Sequence, residues 1–238
     1  MVTMDRPKPD GARKRPAPRI KSVQLKFAMA VSGLIFFGYL IAHMIGNLKI
    51  FFGEESLNLY AEFLRIMGEP LVPERTILTI FRIVLLAALV VHVYAAIELT
   101  RRAKRARLVK YAHRQPVQGS YAARTMRWGG VIIVLFVVFH ILDLTTGTLN
   151  PNGVHGEVYD NIVAGFAPER WYVTLFYVLA VVAACFHVRH GVWSALRSLG
   201  QASIAAQRTW QAVALVVAVA LGVGFLSVPL AVTFGLVS

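Results

Sequence analysis

Residues 76–100 read TILTIFRIVLLAALVVHVYAAIELT and carry only four ionisable side chains, those of Arg82, His92, Tyr94 and Glu98. A helix of about 20 residues crosses the hydrocarbon core of a bilayer, so this stretch is long enough to span a membrane. Its apolar residues show no alternation with a period of two, and a helix satisfies its own backbone hydrogen bonds in lipid. The stretch therefore predicts a transmembrane helix with a histidine in its second half.

Four more apolar stretches of comparable length lie on both sides of this one along the chain. They are residues 25–52, 124–148, 171–196 and 209–237. Because the chain is 57% hydrophobic with a mean hydropathy of +0.60, its composition excludes an ordinary soluble domain. We therefore predict an all-α fold in which a five-helix transmembrane bundle, residues 25–238, follows a basic tail, residues 1–24. Residues 56–67 carry apolar side chains at helical spacing and predict a short helix in the membrane interface. Pro229 lies inside the fifth stretch and predicts a bend there.

The basic residues are distributed unevenly over the two sides of the predicted bundle. The chain has 25 Lys and Arg against 12 Asp and Glu, a formal net charge of +13. Twenty of the 25 basic residues precede or open the first stretch, lie around the segment between the second and third, or flank the junction of the fourth and fifth. By the positive-inside rule the N-terminus is then cytoplasmic and the C-terminus outside. Topology and contact with membrane lipid account for the charge, and we expect no nucleic-acid partner.

One histidine lies inside each of the first four stretches: His43, His92, His140 and His187. An intramembrane histidine is costly and generally faces a partner within the bundle. At about 1.5 Å of rise per residue, His92 and His187 lie about 14 and 15 Å from the cytoplasmic boundary. On the same scale His140 and His43 lie about 20 and 25 Å from it. The depths predict two pairs in two layers, with His92 and His187 nearer the cytoplasm.

Two pairs of imidazoles at two levels are what two stacked b-type haems require. An iron bound by two imidazoles has no open position for a substrate and passes single electrons. The chain has one cysteine, Cys185, and no Cys-x-x-Cys-His motif, which excludes covalent haem attachment and a cluster held by this chain. Zinc or copper is the alternative metal, which Asp143, three residues after His140, would favour. A protein without haem, using the histidines for proton transfer or packing, is a further alternative.

Other residues compete for these roles or extend them. His190 lies three residues after His187, close to the same helix face, so the residues alone leave both open as ligands. Arg82 and Arg189 lie at membrane depth and either pair with haem propionates or extend to the interface. Two histidines fall in predicted loops and are expected to face water: His113 and His155.

Four segments around the histidines resemble the dihaem cytochrome b subunit of succinate:quinone and fumarate:quinone oxidoreductases. They are His43-Met-Ile-Gly-Asn47, His92-Val-Tyr94, Phe139-His-Ile-Leu-Asp143 and Phe186-His-Val-Arg-His-Gly-Val-Trp-Ser194. The similarity extends over nearly the whole chain, with a basic cytoplasmic N-terminus, five spans and a ligand histidine in each of the first four. The resemblance implies that His43 and His140 bind a distal haem and that His92 and His187 bind a proximal haem.

The resemblance also distinguishes between the two histidines of the fourth stretch. In the family, the ligand follows the apolar run and precedes x-x-x-Gly-x-x-Ser. Gly191 and Ser194 follow His187 at that spacing, so the resemblance implies His187 as the ligand and His190 as a neighbour.

A larger complex around this chain is implied by the same resemblance. A flavoprotein subunit would oxidise succinate with FAD, and an iron–sulfur subunit would carry the electrons to the bacterial cytoplasmic membrane. This chain would anchor both as a succinate dehydrogenase subunit and exchange electrons with a quinone. Rival hypotheses are the dihaem cytochrome b of a hydrogenase, formate dehydrogenase or ferric reductase, and a haem-free transporter or anchor.

A quinone site is expected on the outer side, near the distal haem, where it would suit menaquinone. Asn47, Glu62 and Arg65 are the polar candidates there, and Glu62 would exchange the proton that quinone chemistry needs. The alternatives are that Glu62 simply faces water, or that the quinone binds on the cytoplasmic side.

Overall fold

The computed structural model describes residues 20–106, 119–154, 156–200 and 203–238, and in these ranges all regular structure is helical. Most of the tail predicted over residues 1–24 lies outside the described residues, as do His113 and His155. In chain order the elements are α1 (Ser22–Asn47), a 3-10 turn (Leu48–Phe52), α2 (Glu54–Ile66), α3 (Thr76–Arg105), α4 (Gly119–His140), a π-helical turn (Ile141–Thr145), α5 (Val158–Gly165), a 3-10 turn (Pro168–Arg170), α6 (Trp171–Ser198) and α7 (Ile204–Thr233).

Within the described ranges, five helical segments are long and apolar enough to cross a membrane. They are Ser22–Phe52, Thr76–Arg105, Met126–Thr145, Pro168–Ser198 and Ala206–Thr233. Each overlaps one of the five predicted stretches, and α2 coincides with the short helix predicted over residues 56–67. The all-helical, multi-pass character of the chain is therefore confirmed. Pro229 lies inside α7, which continues to Thr233, and the bend there remains a prediction.

Large apolar side chains cover the outside of the bundle. Leu86, Leu179 and Val223 lie well inside their helices, yet each is at least 60% exposed. In water, so much exposed apolar surface would promote aggregation, whereas in a bilayer these side chains face lipid tails. The outer surface thus agrees with a membrane-embedded bundle.

Helix α6 lies at the centre of the bundle and packs against α7, α4 and α1, while α1 also packs against α3. Two glycines of α7 permit close approach between helices. A Cβ atom at Gly222 would come within 3.1 Å of Cys185 Sγ, and one at Gly224 would overlap the side chain of Met44. Close packing through small residues is the usual way that helices associate in lipid.

One end of the bundle, which we call the capped end, is covered by α2 and α5. These two short helices are joined by side-chain hydrogen bonds: the backbone N–H of Tyr159 donates to Asn58 Oδ1 (3.2 Å), and Arg65 donates to the carbonyl of Gly156 (3.2 Å). An apolar cluster lies beneath them, composed of Ile50, Leu57, Ile162, Phe166, Val173, Tyr177, Val228 and Val232. The capped end is therefore the better-packed end of the described structure.

At the opposite end, which we call the basic end, α1 and α7 begin and α3 and α6 finish. Arg102 holds α3 against the start of α1 there, donating to the carbonyl of Ile20 (2.8 Å) and to Ser22 Oγ (3.2 Å). It also pairs with Glu98 one turn earlier at 2.8 Å. Other basic residues of this end, within the described ranges, include Lys21, Lys26, Arg101, Lys104, Arg105, Arg127, Arg197 and Arg208.

Two elements of the capped end differ from the sequence-based expectation. The third span was expected to be one helix over residues 124–148, but it changes to a π-helical turn directly after His140, where Thr146 N donates to Ile141 O (2.8 Å). The wider turn contains Asp143, whose side chain is completely buried. Helix α5 was not expected, because its eight residues are too short for a clear periodic pattern.

Candidate haem sites

The structure brings the four span histidines together in two pairs. The ring centroids of His43 and His140 are 5.9 Å apart near the capped end, and those of His92 and His187 are 6.2 Å apart nearer the basic end. These are the pairs that the depth comparison predicts. An iron bound by one nitrogen of each ring, with metal–nitrogen distances of about 2 Å, places two ring centroids about 6 Å apart. Both pairs thus have the spacing that a bis-imidazole iron needs.

Glycines make room for the rings of the pair nearer the basic end. A Cβ atom at Gly33 of α1 would lie 3.4 Å from Cε1 of His92, and one at Gly130 of α4 would lie 3.8 Å from Cε1 of His187. Any side chain beyond the methyl group of alanine would therefore compete for the space beside each imidazole. Both glycines lie within the predicted spans, so their presence near the histidines was visible in the sequence.

The hydrogen bonds of His92 indicate its tautomer. Ser32 Oγ donates to the carbonyl of Ala28 (2.7 Å) and lies 3.1 Å from His92 Nδ1. Because the hydroxyl proton is used on the carbonyl, the serine oxygen accepts from Nδ1–H. That tautomer leaves the lone pair of Nε2 free for a metal.

The partner ring has an unsatisfied nitrogen. His187 Nδ1 is buried and has no hydrogen-bond partner within the described residues, and the same holds for Trp193 Nε1 on the next turns of α6. An unpaired buried polar atom is unfavourable by about 1–3 kcal/mol unless a further group satisfies it. In contrast to Nδ1 of His92, this nitrogen therefore has no group within the described residues that fixes its proton.

The pair near the capped end lies in a network that includes an ion pair. His140 Nδ1 is 3.2 Å from the hydroxyl of Tyr177, which donates to Asp143 Oδ2 (3.2 Å). Asp143 Oδ1 in turn accepts from Arg170 at 2.8 Å, with both side chains buried. Arg170 also donates to Asn150 Oδ1 (3.1 Å) and to a backbone carbonyl. The sequence singled out Asp143 only as a possible metal ligand, and it singled out neither Tyr177 nor Arg170.

The other ring of this pair is held by aromatic contacts. His43 stacks on Tyr39 at 5.3 Å between centroids with an interplanar angle of 11°, and Phe225 of α7 lies 5.8 Å away. Tyr60 of α2 covers the next turn of α1, where a Cβ atom at Gly46 would come within 2.6 Å of its ring. Helix α2 therefore packs against α1 one turn beyond His43.

His190 and Asp143 were the alternative metal ligands that the sequence offered. Among the described histidines none makes a ring contact with His190, whose ring lies edge-on to Trp193 at 5.7 Å. Asp143 is occupied by Arg170 and Tyr177, which leaves it poorly placed as a ligand for zinc or copper. Across the ranges that the structure describes, no three His, Cys, Asp or Glu side chains converge on a common metal position.

Neither arginine proposed as a propionate partner makes a hydrogen bond or ion pair within the described structure. Arg82 and Arg189 are both exposed on the outside of the bundle. Arg189 lines a groove of about 590 Å³ between α6 and α7 whose other lining residues are nearly all apolar. Contact of either arginine with a propionate remains a prediction.

Two of the three quinone candidates lie together. Glu62 and Arg65 line an open pocket of about 540 Å³ at the capped end, whereas Asn47 lies at the end of α1 and is not part of its lining. The pocket is acidic, and its lining also includes Glu157. The carboxylate of Asp160 raises the pKa of Glu157 above its ordinary value through a hydrogen bond and charge repulsion.

Comparison with known proteins adds evidence that is independent of this geometry. Residues 99–226, more than half of the chain, match the family of the succinate dehydrogenase/fumarate reductase transmembrane subunit. The matched region contains His140 and His187. No curated protein and no solved structure gives a significant match. The chain therefore belongs to the succinate dehydrogenase/fumarate reductase transmembrane subunit family.

Proposed function

We propose that this chain binds two b haems and carries electrons between an iron–sulfur subunit and a quinone, as the membrane anchor of a succinate:quinone oxidoreductase. The observation that carries the proposal is the spacing of the two imidazole pairs, 5.9 and 6.2 Å, in two layers of one bundle. Family membership supplies the partners, a flavoprotein with FAD and an iron–sulfur subunit. Bound bis-imidazole haems would supply one-electron transfer without an open coordination position.

The residues of the chain have distinct tasks in this proposal. His43 and His140 would hold the haem nearer the capped end, and His92 and His187 the haem nearer the basic end. The hydroxyl groups of Ser32 and Tyr177 accept the Nδ1 protons of His92 and His140, which keeps Nε2 available as the ligand atom.

Orientation follows from the charges in the same proposal. The basic end would face the cytoplasm, since it holds most of the described Lys and Arg residues. It would bind the iron–sulfur subunit and lipid phosphates there. The capped end would then face the outside, and α2 would lie in the outer interface.

We propose that the quinone binds at the capped end. Glu62 and Arg65 are adjacent in the acidic pocket, and Glu62 would exchange protons with a quinone, of which menaquinone is the expected type. The polar lining suits the headgroup, while the isoprenoid tail would lie along the apolar outer surface of the bundle.

An absorption spectrum of the complex, purified with its partner subunits, tests the proposal. We expect a b-type α-band on reduction with dithionite and two haems for each copy of this chain. His140→Ala and His187→Ala should each remove one haem, and His190→Ala, the matched control on α6, should remove none. Absence of the α-band from the assembled wild-type complex would favour a haem-free anchor. A dihaem spectrum that succinate does not reduce would favour the cytochrome of another respiratory complex.

A further inference from the structure

We infer that Tyr177, Asp143 and Arg170 form a positioning chain that fixes the Nδ1 proton of His140 and lowers the reduction potential of the capped-end haem. The inference rests on the proposed dihaem function, but it concerns residues that neither the family match nor the ligand pairing assigns. None of the three is a proposed ligand. Each acts on the iron only through His140.

The direction of each hydrogen bond follows from the order of donors and acceptors. Arg170 has donors only, and one of them occupies Asp143 Oδ1 at 2.8 Å. The other carboxylate oxygen accepts the proton of the Tyr177 hydroxyl at 3.2 Å. The phenolic oxygen is then free to accept, and its neighbour at 3.2 Å is Nδ1 of His140. The positioning chain therefore selects the tautomer of His140 that has its proton on Nδ1.

Burial strengthens this effect. Asp143 is completely buried and Arg170 is 8% exposed, so water does not compete for the carboxylate. In such surroundings hydrogen bonds that follow one another polarise each other. A hydroxyl that donates to a carboxylate is a stronger acceptor, and it draws the Nδ1 proton away from the ring. The imidazole becomes a better electron donor, which stabilises the ferric form of the iron more than the ferrous form.

The pair nearer the basic end provides an internal reference. His92 contacts a serine hydroxyl that donates to a neutral backbone carbonyl, so this series of hydrogen bonds ends without a carboxylate. His187 Nδ1 has no partner in the described residues. The two centres therefore differ in the charge behind the axial ligand, and the capped-end haem should be the one that responds when that charge is removed.

The positioning chain also stabilises the fold, and the experiment must separate this effect from the effect on the reduction potential. Arg170 ties the start of α6 to Asn150 and to the carbonyl of Leu149, so the same residues hold the capped-end loop in place. Tyr177→Phe keeps the ring and its edge-on contacts with Phe136 and Phe166 at 4.9 and 4.7 Å. That substitution removes the hydroxyl and leaves the packing.

The decisive experiment is a potentiometric titration of both haems in the assembled complex. The His92→Ala complex, which should retain only the capped-end haem, assigns its midpoint. For Asp143→Asn we expect a rise equivalent to about a tenfold change in the reduction equilibrium, or about 59 mV for a one-electron centre. For Tyr177→Phe we expect a smaller rise, and in both variants the other haem should be unchanged. Tyr172→Phe, an exposed tyrosine on the same helix, is the matched control and should change neither.

Each outcome decides the inference. A rise confined to the capped-end haem supports it, as does selective loss of that haem from Tyr177→Phe, because a ligand without its positioning partner binds iron more weakly. Two retained haems with unchanged potentials would overturn it, as would equal shifts of both haems. If the Tyr177→Phe complex assembled with neither haem, the positioning chain would have a role in the fold alone, and the inference would be wrong. A wild-type complex without haem would instead refute the dihaem function itself.

Discussion

The two histidine pairs share a spacing, and each has a hydroxyl group at one Nδ1, but they differ in the groups that lie beyond it. Near the basic end, a serine hydroxyl, glycine clearance and an unsatisfied nitrogen surround His92 and His187. Near the capped end, a tyrosine, a buried ion pair and a stacked tyrosine surround His140 and His43. For the two haems that we propose, a neutral environment at one pair and a charged environment at the other would give chemically identical centres different potentials.

Removing the carboxylate of the capped-end ion pair should have the largest effect on stability. Asp143→Leu leaves the guanidinium of Arg170 buried without its partner, and breaking such a pair is unfavourable by about 3–5 kcal/mol. We expect a large fall in the melting temperature of the purified complex, measured by loss of helical circular dichroism. Glu98→Gln, which removes the more exposed Arg102 partner at the basic end, should change it little. Equal effects of the two substitutions would show that the ends do not differ in this way.

Two glycines of α1 on either side of His43 should respond differently to substitution by alanine. A Cβ atom at Gly46 would come within 2.6 Å of the Tyr60 ring, so Gly46→Ala must displace that ring or the helix that carries it, and should destabilise the protein by about 1–3 kcal/mol. Nothing lies within 4 Å of a Cβ at Gly38, and Gly38→Ala should be neutral or stabilise the helix by up to about 1 kcal/mol. Thermal unfolding of both variants measures the difference. A neutral Gly46→Ala would argue against the position of α2.

Loss of the serine contact should weaken haem binding only near the basic end. Ser32→Ala removes the acceptor of His92 Nδ1–H, and losing such a partner of a metal-ligating histidine lowers affinity by about tenfold or more. The expected result is a lower haem content, with the loss confined to the basic-end centre on redox titration. Ser227→Ala is the control, because Ser227 Oγ also donates to a backbone carbonyl of its own helix but contacts no histidine. An unchanged haem content in Ser32→Ala would remove the hydroxyl from the site.

The smallest expected effect concerns the acidic pocket of the capped end. Asp160 raises the pKa of Glu157, so the protonated form of Glu157 is favoured in the folded protein. Its contribution to stability is then present at low pH and declines as the pH rises above the ordinary glutamate value of 4.5. Asp160→Asn should remove this decline, which the melting temperature as a function of pH would detect. A pH profile identical to that of the wild type would contradict the repulsion.

The spans and the histidine pairs were accessible to sequence analysis for a physical reason. A bilayer has a fixed thickness and admits only backbone that satisfies its own hydrogen bonds, so an apolar stretch such as residues 76–100 specifies both length and conformation. Depth then follows from the rise of a helix, and that is why counting residues from Arg101 and Arg197 pairs His92 with His187. The choice against His190 came from the family resemblance, and in the structure His190 lies against Trp193.

The surroundings of the capped-end pair were not accessible in the same way. Tyr177 resembles any other aromatic residue of an apolar helix, and Arg170 lies at the beginning of α6, where an interfacial arginine would usually face water. Asp143 enters the interior through a π-helical turn that no periodic pattern announces. Asn47 was grouped with Glu62 and Arg65 because all three lie on the predicted outer side, yet only the latter two line one pocket.

The sequence alone was enough to predict five segments long and apolar enough to cross a membrane, a predominantly basic end and four histidines in two layers. Those properties depend on composition and on distance along a helix, both of which are local. Which side chains lie behind each imidazole depends instead on tertiary contacts. The contact of Tyr177 with His140 joins residues 37 positions apart, and the ion pair of Arg170 with Asp143 joins residues 27 positions apart. Such contacts depend on how α4 and α6 rotate and approach each other, which no single segment encodes.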